Sequence, residues 1–175
     1  MVHKCRQTTL VMDHEMSACT GSGPPRDGAR FAVVSTLKVH QGSLEIPTRG
    51  RGLTDVSRKV QDIVEASGIA TGLCTVFIQH TSASLVIQEN AAPSVRRDME
   101  TWIERIAPED PKAYEHDDEG PDDMPGHLRA TITKTSEVVP VTKGRLALGT
   151  WQAIYLWEHR RTPHTRTLIV HVQGV

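Results

Sequence analysis

Between Tyr114 and His127 the chain reads YEHDDEGPDDMPGH, a stretch made of residue types that bind cations. Eight carboxylates fall between Glu109 and Asp123 against one Lys112, and carboxylates this dense repel one another. A fold that orders them requires a counter-charge from Arg or Lys, a bound cation, or protonation. The plain alternative is a solvated acidic surface loop. Against it, His116 and His127 bracket the carboxylates, and imidazole is a common ligand of zinc-type ions. The prolines and glycines of the stretch also impose a specific backbone path, so we read it as a functional loop.

Two further segments carry candidate chemistry. In QHTSASLVIQEN (79–90), His80 stands where an apolar strand ends, and Thr81, Ser82 and Ser84 add hydroxyls. The turn after that strand offers backbone N–H groups to an anion. Glu89 and Asn90 precede a helix, with Asn90 either its cap or a hydrogen-bonding site residue. A Ser/His nucleophile pair carries little weight, because a vicinal His-x-Ser is not an activation geometry. In LALGTWQAIYLWEHRRTPHTR (146–166), strand alternation puts Gln152, Ile154, Leu156 and Glu158 on one face and Trp151, Ala153, Tyr155 and Trp157 on the other. Trp151 reads as core or interface before it reads as a stacking platform. Arg160, Arg161 and Arg166, with His159 and His164, form a basic counterpart to the acidic loop. Arginine suits bidentate phosphate or carboxylate binding, and some of these arginines would instead neutralise the loop.

The elements that must position these groups follow from periodicity. FAVVSTLKVH (31–40) is a predicted strand. In TDVSRKVQDIVEASG (54–68), Val56, Val60, Ile63 and Val64 recur at helical spacing, with Thr54 or Asp55 as N-cap and Gly68 as C-cap. GLCTVFIQH (72–80) is a short β-type run. APSVRRDMETWIERIAP (92–108) places Val95, Met99, Trp102, Ile103 and Ile106 on one helical stripe, with Pro93 in the first turn and Pro108 as a stop. LRATITK (128–134), WQAIYLWEH (151–159) and TLIVHV (167–172) are further predicted strands, with turns at KGR (143–145) and RRTPHTR (160–166). The order implies an α+β domain over residues 31–175, with two main helices covering one face of a largely antiparallel sheet. Residues 1–30, broken by GSGPPRDG (21–28), read as a disordered tail.

The chain has 175 residues, a prior of one domain with room for a sizeable core. A formal charge of −1 argues against nucleic acid or an acidic membrane surface as partner. No run approaches the roughly 18 apolar residues of a membrane span, and LVM (10–12) is too short for a secretory signal. The three cysteines, Cys5, Cys19 and Cys74, are odd in number and widely spaced, and Cys74 sits in an apolar run as a buried thiol would. These features lead us to expect a cytoplasmic protein.

QHTSASLVIQENA, YEHDDEGPDDMPGH and RLALGTWQAIYLWEH together resemble the signature blocks of the YjbQ-like family, described as secondary thiamine-phosphate synthase. The resemblance runs in order from about Thr36 to Gln173. It implies a compact subunit assembling as a homotrimer, with polar sites near subunit boundaries. It further implies that His80, His116 and His127 share a metal or anion site. Ser82, Glu89, Asn90, Asp117, Asp122, Asp123, Thr150, Trp151, Gln152 and Glu158 also match block by block. Three departures stand out: Gly126 replaces an alanine, TKTSEVVPV (133–141) replaces a more apolar stretch but retains Ser136, and His164 stands where an arginine is expected.

The implied reaction joins a pyrimidine pyrophosphate to a thiazole phosphate, releasing pyrophosphate. It calls for a divalent cation and for cationic donors. Asp117, Asp122 and Asp123 would suit Mg²⁺ and the histidines Zn²⁺, so the metal's identity stays open. The dedicated synthase resembles a (β/α)₈ barrel of about 250 residues, for which this chain is too short. The alternatives are a metal-dependent hydrolase of another substrate and a non-enzymatic trimer that binds a small phosphorylated metabolite. The expected catalytic residues are His80, His127, Glu89 and Asp123, and the expected metal ligands are His80, His116, His127 and Asp117. Thr81, Ser82, Asn90, Ser136, Thr150, Gln152 and Arg166 are expected to bind substrate.

Overall fold

A computed structural model describes residues 8–11, 36–110 and 112–175. Every strand pairing in it is antiparallel. The strands are β1 (Thr8–Val11), β2 (Lys38–Pro47), β3 (Gly52–Asp55), β4 (Thr71–Ile78), β5 (Ala83–Glu89), β6 (Ser136–Thr142), β7 (Arg145–Leu146), β8 (Gln152–Glu158) and β9 (Thr165–Gly174). The helices are α1 (Ser57–Ser67), α2 (Pro93–Ile106) and α3 (Asp123–Ile132). Six strands form one sheet in the order β1-β2-β9-β4-β6-β7, and β3-β8-β5 form a second.

The core fills the space between the sheets, because β4, β6, β8 and β9 each contribute one alternating row. Cys74, Val76 and Ile78 come from β4, Ile154 and Leu156 from β8, and Leu168, Val170 and Val172 from β9. Helix α1 adds Val60, Ile63 and Val64 to the same core. It ends at Gly68, whose φ of 64° is the left-handed conformation that only glycine adopts cheaply. The opposite row of β8 faces α2: Arg96 donates to the Tyr155 hydroxyl, and Trp157 donates to the Glu100 carboxylate.

The α+β class and the antiparallel pairing are as expected, and several local readings are corrected. The predicted strand over 128–134 is the second half of α3. Its β-branched Thr131 and Ile132 mimic a strand locally, while Arg129 is buried and anchored to the Ala107 carbonyl, so tertiary packing overrides propensity. Pro125 falls in the first turn of α3, where its missing N–H has no helical partner to lose. The first core strand is Lys38–Pro47 in place of 31–40, and residues 31–35 lie outside those described. Residues 83–89, to which the sequence reading assigned no element, are strand β5. At the start of α1 the N-cap position is Val56, while the Asp55 carboxylate accepts the Ser57 N–H at 2.8 Å. Of the α2 stripe only Ile103 is fully buried, with Trp102 53% and Ile106 49% exposed. The contacting line of that helix is instead Glu100, Ile103 and Ala107. The tail expected over 1–30 lies outside the described residues except for Thr8–Val11, which pair with β2. No described helix is long and apolar enough to cross a membrane.

Candidate functional site

Four inward-facing rows end in polar residues at the same end of the core. Two residues beyond Ile46 on β2 stands Thr48, and two beyond Ile78 on β4 stands His80. Two beyond Leu156 on β8 stands Glu158, and two before Leu168 on β9 stands Arg166. Strand alternation therefore drives Glu158 and Arg166 into the interior, where both are completely buried. A charge there must be paired, and the pairing is bidentate: Arg166 Nε donates to Glu158 Oε2 at 2.7 Å and Nη2 to Oε1 at 2.5 Å. The Thr48 hydroxyl and the Arg160 N–H each add a 3.0 Å bond to the carboxylate. Burial opposes ionisation of Glu158, yet these donors hold it below the usual carboxylate range.

The remaining donors of Arg166 reach Ser82 Oγ at 3.2 Å and His80 Nε2. His80 Nε2 is thus the acceptor, and its Nδ1 faces the Ser82 hydroxyl at 3.4 Å. Burial and then the Arg166 charge push the His80 imidazole below its ordinary pKa, so it is neutral near pH 7.

The second part of the site is built by the acidic loop and the first turns of α3. Asp123, 2% exposed, directs Oδ2 at two imidazoles: His116 Nε2 at 2.8 Å and His127 Nε2 at 3.4 Å. His127 lies one helical turn beyond Asp123, which is why a helix, and not a strand, is needed to bring the pair together. The far nitrogen of His127, Nδ1, donates to the Thr81 carbonyl at 3.0 Å, fixing the tautomer whose Nε2 lone pair points toward Asp123. Arg160 binds Asp123 Oδ1, Asp122 at 3.3 Å and the Glu119 carbonyl at 2.8 Å. The Arg161 N–H adds a 2.7 Å bond to Asp122. Burial opposes ionisation of Asp122, but the Arg161 N–H and Arg160 hold its carboxyl below the usual range. The counter-charge that the acidic loop requires is therefore mainly Arg160.

The two parts are contiguous. Arg160 spans them through its backbone and side chain, and a Cβ on Gly126 would stand 3.3 Å from both Arg160 Cδ and Ser82 Cβ. Glycine allows that close approach between α3 and the β4–β5 turn. Beside His116, a cleft of about 290 Å³ is lined by Tyr114, His116, Asp117, Gly120 and Pro121.

Among the described residues, His116, Asp123 and His127 offer donor atoms all within 4.8 Å of one another. Two imidazoles and one carboxylate with further positions open suit a divalent transition ion better than Mg²⁺, which prefers an all-oxygen shell. His80 and Asp117 are not in this group: His80 turns to Arg166, and Asp117 lines the cleft from an exposed position.

The remaining expected residues separate into two places. Thr81 and Ser82 lie beside His127 and Arg166, and Ser136, at the start of β6, pairs with Phe77 just before His80. Glu89, Asn90, Thr150 and Gln152 lie at the opposite end of the second sheet, where Glu89 pairs with Gln152 while Ala83 pairs with Glu158. Six residues of strand put the two ends roughly 20 Å apart. There the Glu89 carboxylate accepts the Ala91 and Ala92 N–H groups at 2.9 and 2.8 Å and so closes the turn into α2. Asn90 donates instead to the Thr150 and Gln152 carbonyls, and the N-cap position of α2 is Ala92, with no side-chain cap bond. Trp151 is 63% exposed, which removes the core reading. Sequence reasoning did not single out Thr48, although strand alternation carried past Ile46 marks it.

Residues 42–175 match the family model described as UPF0047 protein YjbQ-like. A UPF0047 protein of Synechocystis sp. is 53% identical over 144 residues, covering 82% of this chain and 98% of that protein. The UPF0047 protein YjbQ of Escherichia coli O157:H7 is 41% identical over 136 residues, 77% of this chain and 98% of its own length. Among solved structures, a YbjQ-like protein of unknown function from Sulfolobus solfataricus P2 superposes with a TM-score of 0.73 at 30% identity, covering 79% of this chain and 99% of that one. With the family model spanning most of the chain and such relatives matched nearly end to end, the chain belongs to the YjbQ-like UPF0047 family.

Proposed function

We propose that the protein is a cytoplasmic enzyme that binds a divalent ion at His116, Asp123 and His127 and acts there on a small phosphorylated substrate. The supporting observation is the convergence of two imidazoles on one carboxylate oxygen, with the His127 tautomer fixed by the Thr81 carbonyl. A bound divalent ion supplies Lewis-acid polarisation of a phosphoryl oxygen. Arg160 holds Asp123 by its other oxygen and so fixes the orientation of that ligand. Arg166, locked by Glu158, donates to His80 Nε2 and to the Ser82 hydroxyl, and in this reading His80, Thr81 and Ser82 meet the substrate there. The reaction that fits the resemblance is the joining of a pyrimidine pyrophosphate to a thiazole phosphate with release of pyrophosphate. The open positions of a two-histidine, one-carboxylate set equally favour hydrolysis of a phosphorylated substrate, which is the second reading.

Glu89, Asn90, Thr150 and Gln152 lie about 20 Å from the imidazoles within one chain. In this reading a homotrimer brings that end of one subunit toward the acidic loop of the next, and they bind substrate across the boundary. Metal analysis of untagged protein, wild type and the His116→Ala/His127→Ala pair, tests the proposal. Near-stoichiometric metal lost in the variant supports it, followed by assays for pyrophosphate release and phosphate hydrolysis. Metal absent from both, with no gain on adding Zn²⁺ or Mn²⁺, overturns it.

A further inference from the structure

A second cleft, of about 300 Å³, opens between β3 and the first turns of α2 and is lined by Gly52, Leu53, Pro93, Arg96, Arg97 and Glu100. Glu100 stands four and three positions beyond the two arginines, the spacing at which helical side chains ordinarily pair. Here it turns inward instead and accepts the Trp157 N–H. Arg96 donates to the Tyr155 hydroxyl at 3.2 Å, with its guanidinium 5.6 Å from the ring centre. Among the described residues neither Arg96 nor Arg97 has a carboxylate partner. Trp151 lies beside the same end of α2: its carbonyl accepts the Asn90 N–H at 3.1 Å, and its side chain is exposed. Tryptophan and arginine are the side chains that most often anchor protein interfaces.

The acidic loop presents the opposite imbalance. Arg160 takes Glu119, Asp122 and Asp123, and Arg51 and Arg161 take Glu109. Glu115, Asp117 and Asp118 are exposed and have no cationic partner among the described residues. The two surfaces do not meet within one chain. Arg96 rests on Tyr155, midway along β8, whereas the loop is tied to Arg160 beyond the end of that strand. Five strand positions separate the two anchors by roughly 16 Å.

A surface with surplus arginines and a surface with surplus carboxylates on the same chain are complementary between copies. We infer that the acidic loop of one copy of this chain, at Glu115, Asp117 and Asp118, docks on the Arg96–Arg97 cleft of the next, with Trp151 alongside. Loop and cleft are different surfaces, so the contact is head-to-tail and closes into a ring. It rests on the homotrimer of the functional reading and supplies the contacts that assembly needs. The same contact carries Glu89, Asn90, Thr150 and Gln152, which lie beside Trp151, toward the imidazoles of the adjoining copy.

Sedimentation of the untagged full chain at rising NaCl provides the test. Wild type is expected to be trimeric at low salt and to dissociate more readily as salt screens the contact. Arg96→Glu/Arg97→Glu and Asp117→Arg/Asp118→Arg should each weaken assembly at least about tenfold, and the two sets combined in one chain should restore it to within about threefold. Because Arg96 also holds Tyr155, Arg97→Glu alone, at an exposed side chain, keeps the test independent of folding and should weaken assembly in the same direction. A trimer unmoved by these reversals, or a loss that the combined variant does not rescue, overturns the pairing of loop and cleft while leaving the homotrimer standing. If inorganic phosphate fills the cleft instead, Arg97→Glu leaves assembly unchanged and removes a phosphate-dependent rise in Tm, which also overturns it. A wild type that is monomeric at every salt concentration overturns the homotrimer as well, and the metal content of that monomer tests the ion site separately.

Discussion

The strand-end network of Thr48, His80, Glu158 and Arg166 and the loop–helix group of His116, Asp123 and His127 touch each other but are built on different principles. In the first, polar residues continue apolar rows, so the fold forces them inside and they must satisfy one another. In the second, the carboxylate is buried while the imidazoles remain partly exposed, at 45% and 32%. The comparison separates groups held for structure from groups free to meet a ligand. Arg160 belongs to both, since its N–H serves Glu158 and its guanidinium serves Asp123.

That contrast can be broken by substitution, starting where the largest effect is expected. Glu158→Ala leaves Arg166 buried and unpaired and should destabilise the chain by about 3–5 kcal/mol in urea unfolding. A change below about 1 kcal/mol would show that the interior pair is not what holds this end of the core. Acidification comes next. His159 is fully buried, and burial, then Arg129, pushes its imidazole down to about 3 from an ordinary 6.5. The unfolded chain therefore takes up this proton well before the folded one, and stability falls as pH drops from 6.5 toward 3. The expected loss is on the order of 2–3 kcal/mol by pH 4, and His159→Gln should flatten the profile above pH 4.5. Below that, Glu158 and Asp122, both held low, lose their ionised-state contribution as they protonate.

His127→Ala is the converse case. Its ring is partly exposed, so stability should change by less than about 1 kcal/mol while metal affinity falls at least about tenfold. A large drop in stability with binding intact would move His127 to the structural side. The smallest effect is expected at Glu89→Gln, which weakens the turn into α2 by about 0.5–1 kcal/mol. If Glu89→Gln abolishes turnover without moving Tm, Glu89 is catalytic, and the distance of about 20 Å must be closed by a second subunit.

The two regions were also unequally legible. His80 could be found as a polar residue ending an apolar strand, and the same rule continued along β2, β8 and β9 yields Thr48, Glu158 and Arg166. The chemical character of the acidic loop was equally plain from composition. Its internal geometry was not, because the residues after His127 read locally as a strand. That reading breaks the one-turn relation of Asp123 and His127 on which the cluster depends. For Glu89 and Asn90, sequence proximity to His80 gave no separation in space, whereas β5 carries them to the other end of the sheet.

The sequence by itself determined the α+β class, most core strands, helices α1 and α2, and the two histidines flanking a carboxylate run, all of which follow from local period and residue type. Only the tertiary structure decided that α3 is a helix, that Arg160 neutralises the loop, and that Asp123 in place of His80 or Asp117 joins the two imidazoles. Those outcomes depend on which buried charges find partners across the chain, and partners such as Asp123 and Arg160, 37 positions apart, leave no periodic trace along it.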